Sequence, residues 1–169
     1  YAGYPEVPEI VYGFGFSAQW KGLDFSVFFQ GVGNVNFFTN NTYTQPFTAS
    51  SISLSNVFTD LIGKYWSESN PDPNARYPRL TTSPNPNNSQ KSTFWMVNGR
   101  YMRLKNAEIG YSLPKQVVNK LRIDGLRIYV SGMNLLTFSD FKLWDPDLQT
   151  GAANYPNNRV YNIGVSLIF

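Results

Sequence analysis

The run Arg159-Val-Tyr-Asn-Ile-Gly-Val-Ser-Leu-Ile-Phe169 alternates. Tyr161, Ile163, Val165, Leu167 and Phe169 take every second position, and Asn162, Gly164 and Ser166 lie between them. A period of two belongs to an extended strand with one apolar and one polar face. A strand tilted across a bilayer needs about 9–11 residues, turns apolar groups to lipid at alternate positions and carries an aromatic ring where hydrocarbon meets water. The run has that length and that pattern. A half-buried strand of a soluble sheet alternates in the same way, so the rest of the sequence must decide between the two.

Of the 169 residues, 42% are hydrophobic, 17% aromatic and only 15% charged, whereas roughly a quarter are charged in ordinary soluble domains. The shortage of charge implies surface that does not face water. Yet mean hydropathy is −0.30, and no run approaches the about 18 consecutive apolar residues that a membrane helix requires. A membrane helix is therefore excluded. A β-barrel wall reconciles these properties, because half of each strand meets lipid and half meets an aqueous lumen.

The formal charge of +3 is scattered. Its densest group, Arg100, Arg103 and Lys105, shares a stretch with Glu108 and has no glycine-rich phosphate loop, which argues against nucleic acid as a partner. The sequence contains no cysteine and no histidine. Disulfide and thiolate chemistry are thus excluded, and the commonest general base and transition-metal ligand are missing. No nucleophile-elbow motif, carboxylate pair or Ser-Lys arrangement takes their place. The sequence indicates neither an enzyme nor a bound cofactor or metal.

Upstream, Tyr12, Phe14, Phe16, Ala18 and Trp20 alternate with Gly13, Gly15, Ser17 and Gln19. Lys21-Gly22 makes a short turn, and Leu23, Phe25, Val27 and Phe29 return as the second strand of a hairpin, with Phe28 interrupting its polar face. From about residue 32 to 93, Asn, Thr, Ser and Pro dominate, as expected of a long loop, with a helical turn expected around Val57 to Trp66. A third strand is expected from Gly99 to Leu113. Its apolar phase slips between Leu104 and Ala107, which predicts a β-bulge near Lys105-Asn106 and places Arg103 and Glu108 on the same face. Pro114 opens a short helix with Leu113, Val117 and Leu121 at i, i+4, i+8. A fourth strand follows from Leu126 to Phe138, then a second long loop, 139–158, before the terminal strand.

The connections alternate short, long, short, long. Outer-membrane barrels have short turns at one rim and long loops at the other. The fold class read from the sequence is therefore all-β, an antiparallel transmembrane β-barrel segment of about five strands, and too few to close, since the smallest bacterial barrels have about eight. Residues 1–169 are expected to be the C-terminal portion of a larger barrel, with loops 32–93 and 139–158 on the extracellular side.

Tyr101-Met-Arg-Leu-Lys-Asn-Ala-Glu-Ile-Gly-Tyr-Ser-Leu-Pro114, Leu126-Arg-Ile-Tyr-Val-Ser-Gly-Met-Asn-Leu-Leu-Thr-Phe138, Asp145-Pro-Asp147 and Tyr155-Pro to Phe169 occur in that order. Together they resemble the C-terminal end of the SusC/RagA family of TonB-linked outer-membrane transporters. Gly13-Phe-Gly, Trp20-Lys-Gly-Leu-Asp-Phe, Tyr65-Trp and Tyr77-Pro-Arg-Leu80 extend the likeness more weakly. The resemblance implies a barrel of about 22 strands, with a plug domain and N-terminal strands that match nothing here. It implies import of oligosaccharides or peptides, energised by TonB through the missing N-terminal part, and pairing with a SusD-like surface lipoprotein. It also implies that Tyr161, Ile163, Val165, Leu167 and Phe169 form a terminal signal read by the barrel-assembly machinery.

Other residues have more than one reading. Trp66, Trp95 and Trp144, in or beside the long loops, are candidates for substrate or lid contact; anchoring at the membrane interface explains them equally well. Arg103, Glu108 and Arg127 are candidate lumen-facing charges, and pairing within the wall is the favoured arrangement. Asp145 and Asp147 with Asp140 offer oxygens for calcium, but the spacing and glycine of a calcium loop are missing, and a proline-fixed loop is preferred. Two alternatives to a transporter remain: a soluble or surface β-rich carbohydrate-binding domain, and a barrel fragment met as an assembly client.

Overall fold

The computed structural model describes residues 3–41, 44, 58–81, 85–152 and 154–169. In chain order its strands are β1 Ile10–Trp20, β2 Leu23–Gly33, β3 Asn36–Phe38, β4 Met96–Asn98, β5 Tyr101–Ser112, β6 Gly125–Ser139 and β7 Val160–Ile168, and a short helix α1, Lys115–Lys120, joins β5 to β6. Five strands form one antiparallel sheet in the order β1-β2-β5-β6-β7, and β3 pairs with β4 apart from it. Every strand of the large sheet lies beside its predecessor in that sheet. This up-and-down order is what a barrel wall requires.

At the β1–β2 turn, Lys21 (φ 47°) and Gly22 (φ 88°) are both left-handed. Two such central residues make the primed turn whose twist matches the flanking strands. This turn and the 113–124 connection stand at one rim. The long connections, 34–100 and 140–159, stand at the other.

The slip predicted at Lys105-Asn106 is present and extends across two strand pairs. Against β2, Phe28 and Phe29 pair with Asn106 and Leu104, leaving Lys105 as an extra residue. Against β6, Leu104 and Asn106 pair with Leu136 and Met133, so Asn134 and Leu135 face Lys105. Asn134 takes the left-handed conformation (φ 54°). One extra residue per strand keeps the apolar phase of β5 and β6 aligned with that of β2 above and below the bulge.

Register sorts the sheet into two faces. Phe16, Val27, Ala107, Gly132 and Tyr161 share one row of the apolar face, and Trp20, Leu23, Tyr111, Ile128 and Val165 share another. The side chains that a soluble sheet would bury are exposed here, Trp20 at 70% and Ile163 at 81%. The described core lies in the long loops instead. Leu61, Tyr77 and Trp95 form a buried cluster with Phe38, Tyr65 and Leu80 against it, and Phe37 meets Phe141 edge to face at 5.0 Å.

Several details differ from the sequence reading. β2 continues past residue 32 to Gly33 because Val32 pairs with both Val11 and Tyr101. The first long loop contains β3 and β4, and at its base the Thr39 amide donates to the Trp95 carbonyl at 2.9 Å. A 3-10 turn, Thr59–Leu61, falls within the predicted helical segment, whose first residue, Val57, lies outside the described residues. In α1 the predicted stripe is displaced: Val118 is buried, whereas Val117 and Leu121 are 41% and 57% exposed. The helix is too short to present a stripe, and it docks through one side chain.

Candidate functional site

On the polar face, Asp24 of β2, Glu108 of β5 and Arg127 of β6 meet although they are far apart in sequence. Arg127 Nε donates to Asp24 Oδ2 at 2.9 Å and its Nη2 donates to Glu108 Oε1 at 2.6 Å; Nη2 also contacts Asp24 Oδ1. The guanidinium lies across Gly110, where an added Cβ would come within 2.3 Å of Nη2. It also sits 4.9 Å from the centre of the Tyr129 ring. A charge in the wall is thus paired, stacked and given room by a missing side chain. Phe28, which interrupts the polar pattern of β2, lies over Gly13 and Gly15, whose added Cβ atoms would approach its ring to 2.9 and 3.2 Å.

Toward the long-loop rim, Arg103 is buried at 2% exposure. Its Nε donates to Thr137 Oγ1 at 3.1 Å, its Nη2 pairs with Asp145, and its Nη1 lies 3.7 Å from Asp147 Oδ2. Asp147 also accepts from Tyr101 Oη at 2.7 Å and from Asn157 Nδ2 at 2.8 Å. Pro146 between the two aspartates is buried. The Asp145-Pro-Asp147 segment is therefore latched onto the wall by a guanidinium, the proline-fixed arrangement preferred above. Asp140 faces elsewhere and accepts from Arg100 Nε and Nη2 at 3.0 and 2.7 Å.

The three tryptophans part company. Trp95 is corrected as a candidate contact: it is 2% exposed and fills the loop core, and its Nε1 donates to the Asn88 carbonyl at 2.7 Å. Trp144 is half-buried, packs edge to face on Phe141 at 4.7 Å and donates to the Gln149 carbonyl at 2.7 Å. Trp66 is half-buried, with its backbone amide on the Tyr77 carbonyl at 2.9 Å. Tyr161, Ile163, Val165 and Leu167 of β7 lie on the apolar face, and Phe169 follows at 86% exposure.

Sequence reasoning missed a cavity of about 500 Å³ between the two long loops, lined in part by Asp60, Lys64, Arg76, Asn98 and Phe141. Only the i, i+4 spacing of Asp60 and Lys64 hinted at it. The hydrogen bond from Lys64, supported by one from Tyr77 Oη at 3.0 Å, holds the Asp60 carboxyl below its usual range. Burial, then the same Asp60 contact, pushes the Tyr77 hydroxyl up to about 12. Among the described residues no cluster of carboxylates has the arrangement of a metal site.

No protein-family model matches the chain. It is 30% identical to the TonB-dependent receptor P3 of Formosa agariphila, over 96% of this chain and 16% of that protein. To the TonB-dependent receptor P26 of the same organism it is 28% identical, over 96% of this chain and 17% of that protein. Among solved structures it is similar to the RagAB peptide importer in its closed-closed state, with 29% identity and a TM-score of 0.75, covering 96% of this chain and 17% of that one. The open-open state gives a TM-score of 0.71 at the same identity and coverage. The chain thus spans about one sixth of the length of the relatives it matches.

Proposed function

We propose that the chain is a segment of a TonB-dependent outer-membrane receptor of the SusC/RagA family, as its similarity to such receptors and to the RagAB importer supports, and that it supplies barrel wall and extracellular loops to an active importer of oligosaccharides or peptides. The observation that carries this reading is the sheet itself. Its large side chains are exposed on one face and its charges are paired on the other, which suits lipid outside and a polar passage inside. In the proposal, Arg103, Glu108 and Arg127 face that passage, where they hold wall and loop in shape. Residues 1–169 are the C-terminal portion of the parent barrel, and its plug and earlier strands lie outside this sequence.

The partners proposed are a SusD-like surface lipoprotein over the long loops, TonB acting through the plug-bearing part, and the barrel-assembly machinery reading Tyr161, Ile163, Val165, Leu167 and Phe169. Trp66 and Trp144 remain the tryptophans proposed for substrate or lid contact, since Trp95 is buried. The receptors and the importer to which the chain is similar are not named as enzymes, and the described residues offer no catalytic constellation.

The test is uptake by cells carrying the full-length receptor, supplied separately with labelled oligopeptides and labelled oligosaccharides, with and without TonB. TonB-dependent accumulation of one class supports import and names the substrate. Equal accumulation of both classes in cells lacking the receptor or TonB overturns it.

A further inference from the structure

A groove of about 540 Å³ opens on the apolar face at the long-loop rim. Tyr12, Gly31, Met102 and Phe138 follow one another across β1, β2, β5 and β6 in a single row of pairs. The Tyr12 ring lies over Gly31, where an added Cβ would come within 2.4 Å of it, so Tyr12 itself covers the glycine and Met102 forms the floor between the Tyr12 and Phe138 walls. Just beyond this row the groove is lined by Arg100, Asp140 and Lys142. Arg100 and Asp140 form an exposed pair, 62% and 66% accessible. Lys142 is exposed and, among the described residues, has no ion pair or hydrogen bond. Two cations therefore stand against one carboxylate at the end of an apolar slot.

That sequence of surfaces suits one kind of molecule. In an outer membrane the row from Tyr12 to Phe138 meets acyl chains, and the charges beyond it stand at headgroup level, where a guanidinium and an ammonium favour phosphate. We propose that the groove binds a phosphorylated, multiply acylated glycolipid of the outer leaflet. One acyl chain lies between Tyr12 and Phe138 over Met102, and a phosphate is taken by Arg100 and Lys142. Asp140 orients Arg100 and moderates the affinity by its own charge. The assignment rests on the reading that the long loops lie outside the cell.

The test uses the full-length receptor in neutral detergent, with lipid A as the probe and dephosphorylated lipid A beside it, read by native mass spectrometry. Lipid A is expected to bind at least about 10-fold more tightly than its dephosphorylated form, as two charge-assisted contacts imply. Arg100→Gln/Lys142→Gln should bring it down to that weaker level, Phe138→Ala should weaken both lipids, and Asp140→Asn should tighten lipid A. Equal binding of the two lipids, or no change in the double variant, overturns the proposal. So does full displacement of lipid A by inorganic phosphate at equal concentration, which would leave the apolar slot without a role. A membrane-impermeant reagent applied to intact cells carrying Lys142→Cys reads the orientation separately. Labelling keeps the loops outside, whereas no labelling would overturn the loop placement on which the import reading also depends.

Discussion

Replacing Arg103 by Met should release the 140–151 loop while leaving the sheet folded. Arg103 and Asp145 have side chains only 3% and 12% exposed, and removing one partner of such a buried pair costs about 3–5 kcal/mol. Asp147 is 42% exposed and keeps Tyr101 and Asn157, so its share is below about 1 kcal/mol. Water reaches the rim of the latch and favours the lower end of the range, about 3 kcal/mol in total, or roughly 100-fold in the population of the open loop. The assay is amide hydrogen exchange of the full-length receptor in detergent. The amides that report are Asp147 on the Asp145 carboxylate at 3.1 Å, Leu148 on the Asp145 carbonyl at 3.0 Å and Gly151 on the Leu148 carbonyl at 2.8 Å. These should exchange roughly 100-fold faster in Arg103→Met, with the 125–133 amides of β6 unchanged. Adding Asp145→Asn should recover most of the protection, because the orphaned charge is then gone. Unchanged exchange in the loop would refute the latch, and loss of protection spreading through β6 would show that Arg103 supports the wall instead.

Three further outcomes follow from the same geometry. Ile163→Arg, on the apolar face at 81% exposure, should destabilise the receptor in bilayers by about 2–4 kcal/mol, and Asn162→Arg on the opposite face by under about 1, as read from urea unfolding of the full-length barrel. Gly110→Val drives a Cβ into the Arg127 guanidinium at 2.3 Å and parts it from Asp24 and Glu108; the folded, heat-modifiable fraction on semi-native gels should fall below that of the parent. Tyr77 has its folded pKa raised from about 10 to about 12, so its contribution to loop stability is complete below pH about 10 and disappears as pH rises through 12. Protection of the 60–80 amides, taken relative to their intrinsic base-catalysed exchange, should therefore fall across that window in the parent and lose this step in Tyr77→Phe.

The strands and their faces were legible because a period of two is a local signal. Tyr161 through Leu167 and Tyr12 through Trp20 show it without interruption, and the slip at Lys105 appeared as a change of phase. The irregularity at Asn134 did not, because Asn134 and Leu135 together face Lys105 and the apolar row of β6, Ile128, Val130, Leu136 and Phe138, keeps the same even phase on both sides of it. Pairings over long separations left no local trace: Arg103 meets Asp145 and Arg127 meets Asp24 only once the strands are in register. Trp95 shows the limit of composition, because an aromatic ring in a polar loop looks the same in sequence whether it fills a loop core or waits at a surface. In α1, Val117 and Val118 are chemically equivalent, and only docking against the sheet decided which was buried.

The central claim, that one face of the sheet meets lipid and the other an aqueous passage, is tested most directly by paired cysteine labelling at Ile163 and Asn162. The segment contributes no cysteine of its own, so each introduced thiol can be read against its neighbour in the full-length receptor in native outer membranes. Ile163→Cys should react with a lipid-partitioning maleimide and resist a water-soluble one, and Asn162→Cys should show the reverse. Equal reaction of both positions with the water-soluble reagent would contradict a lipid-facing wall.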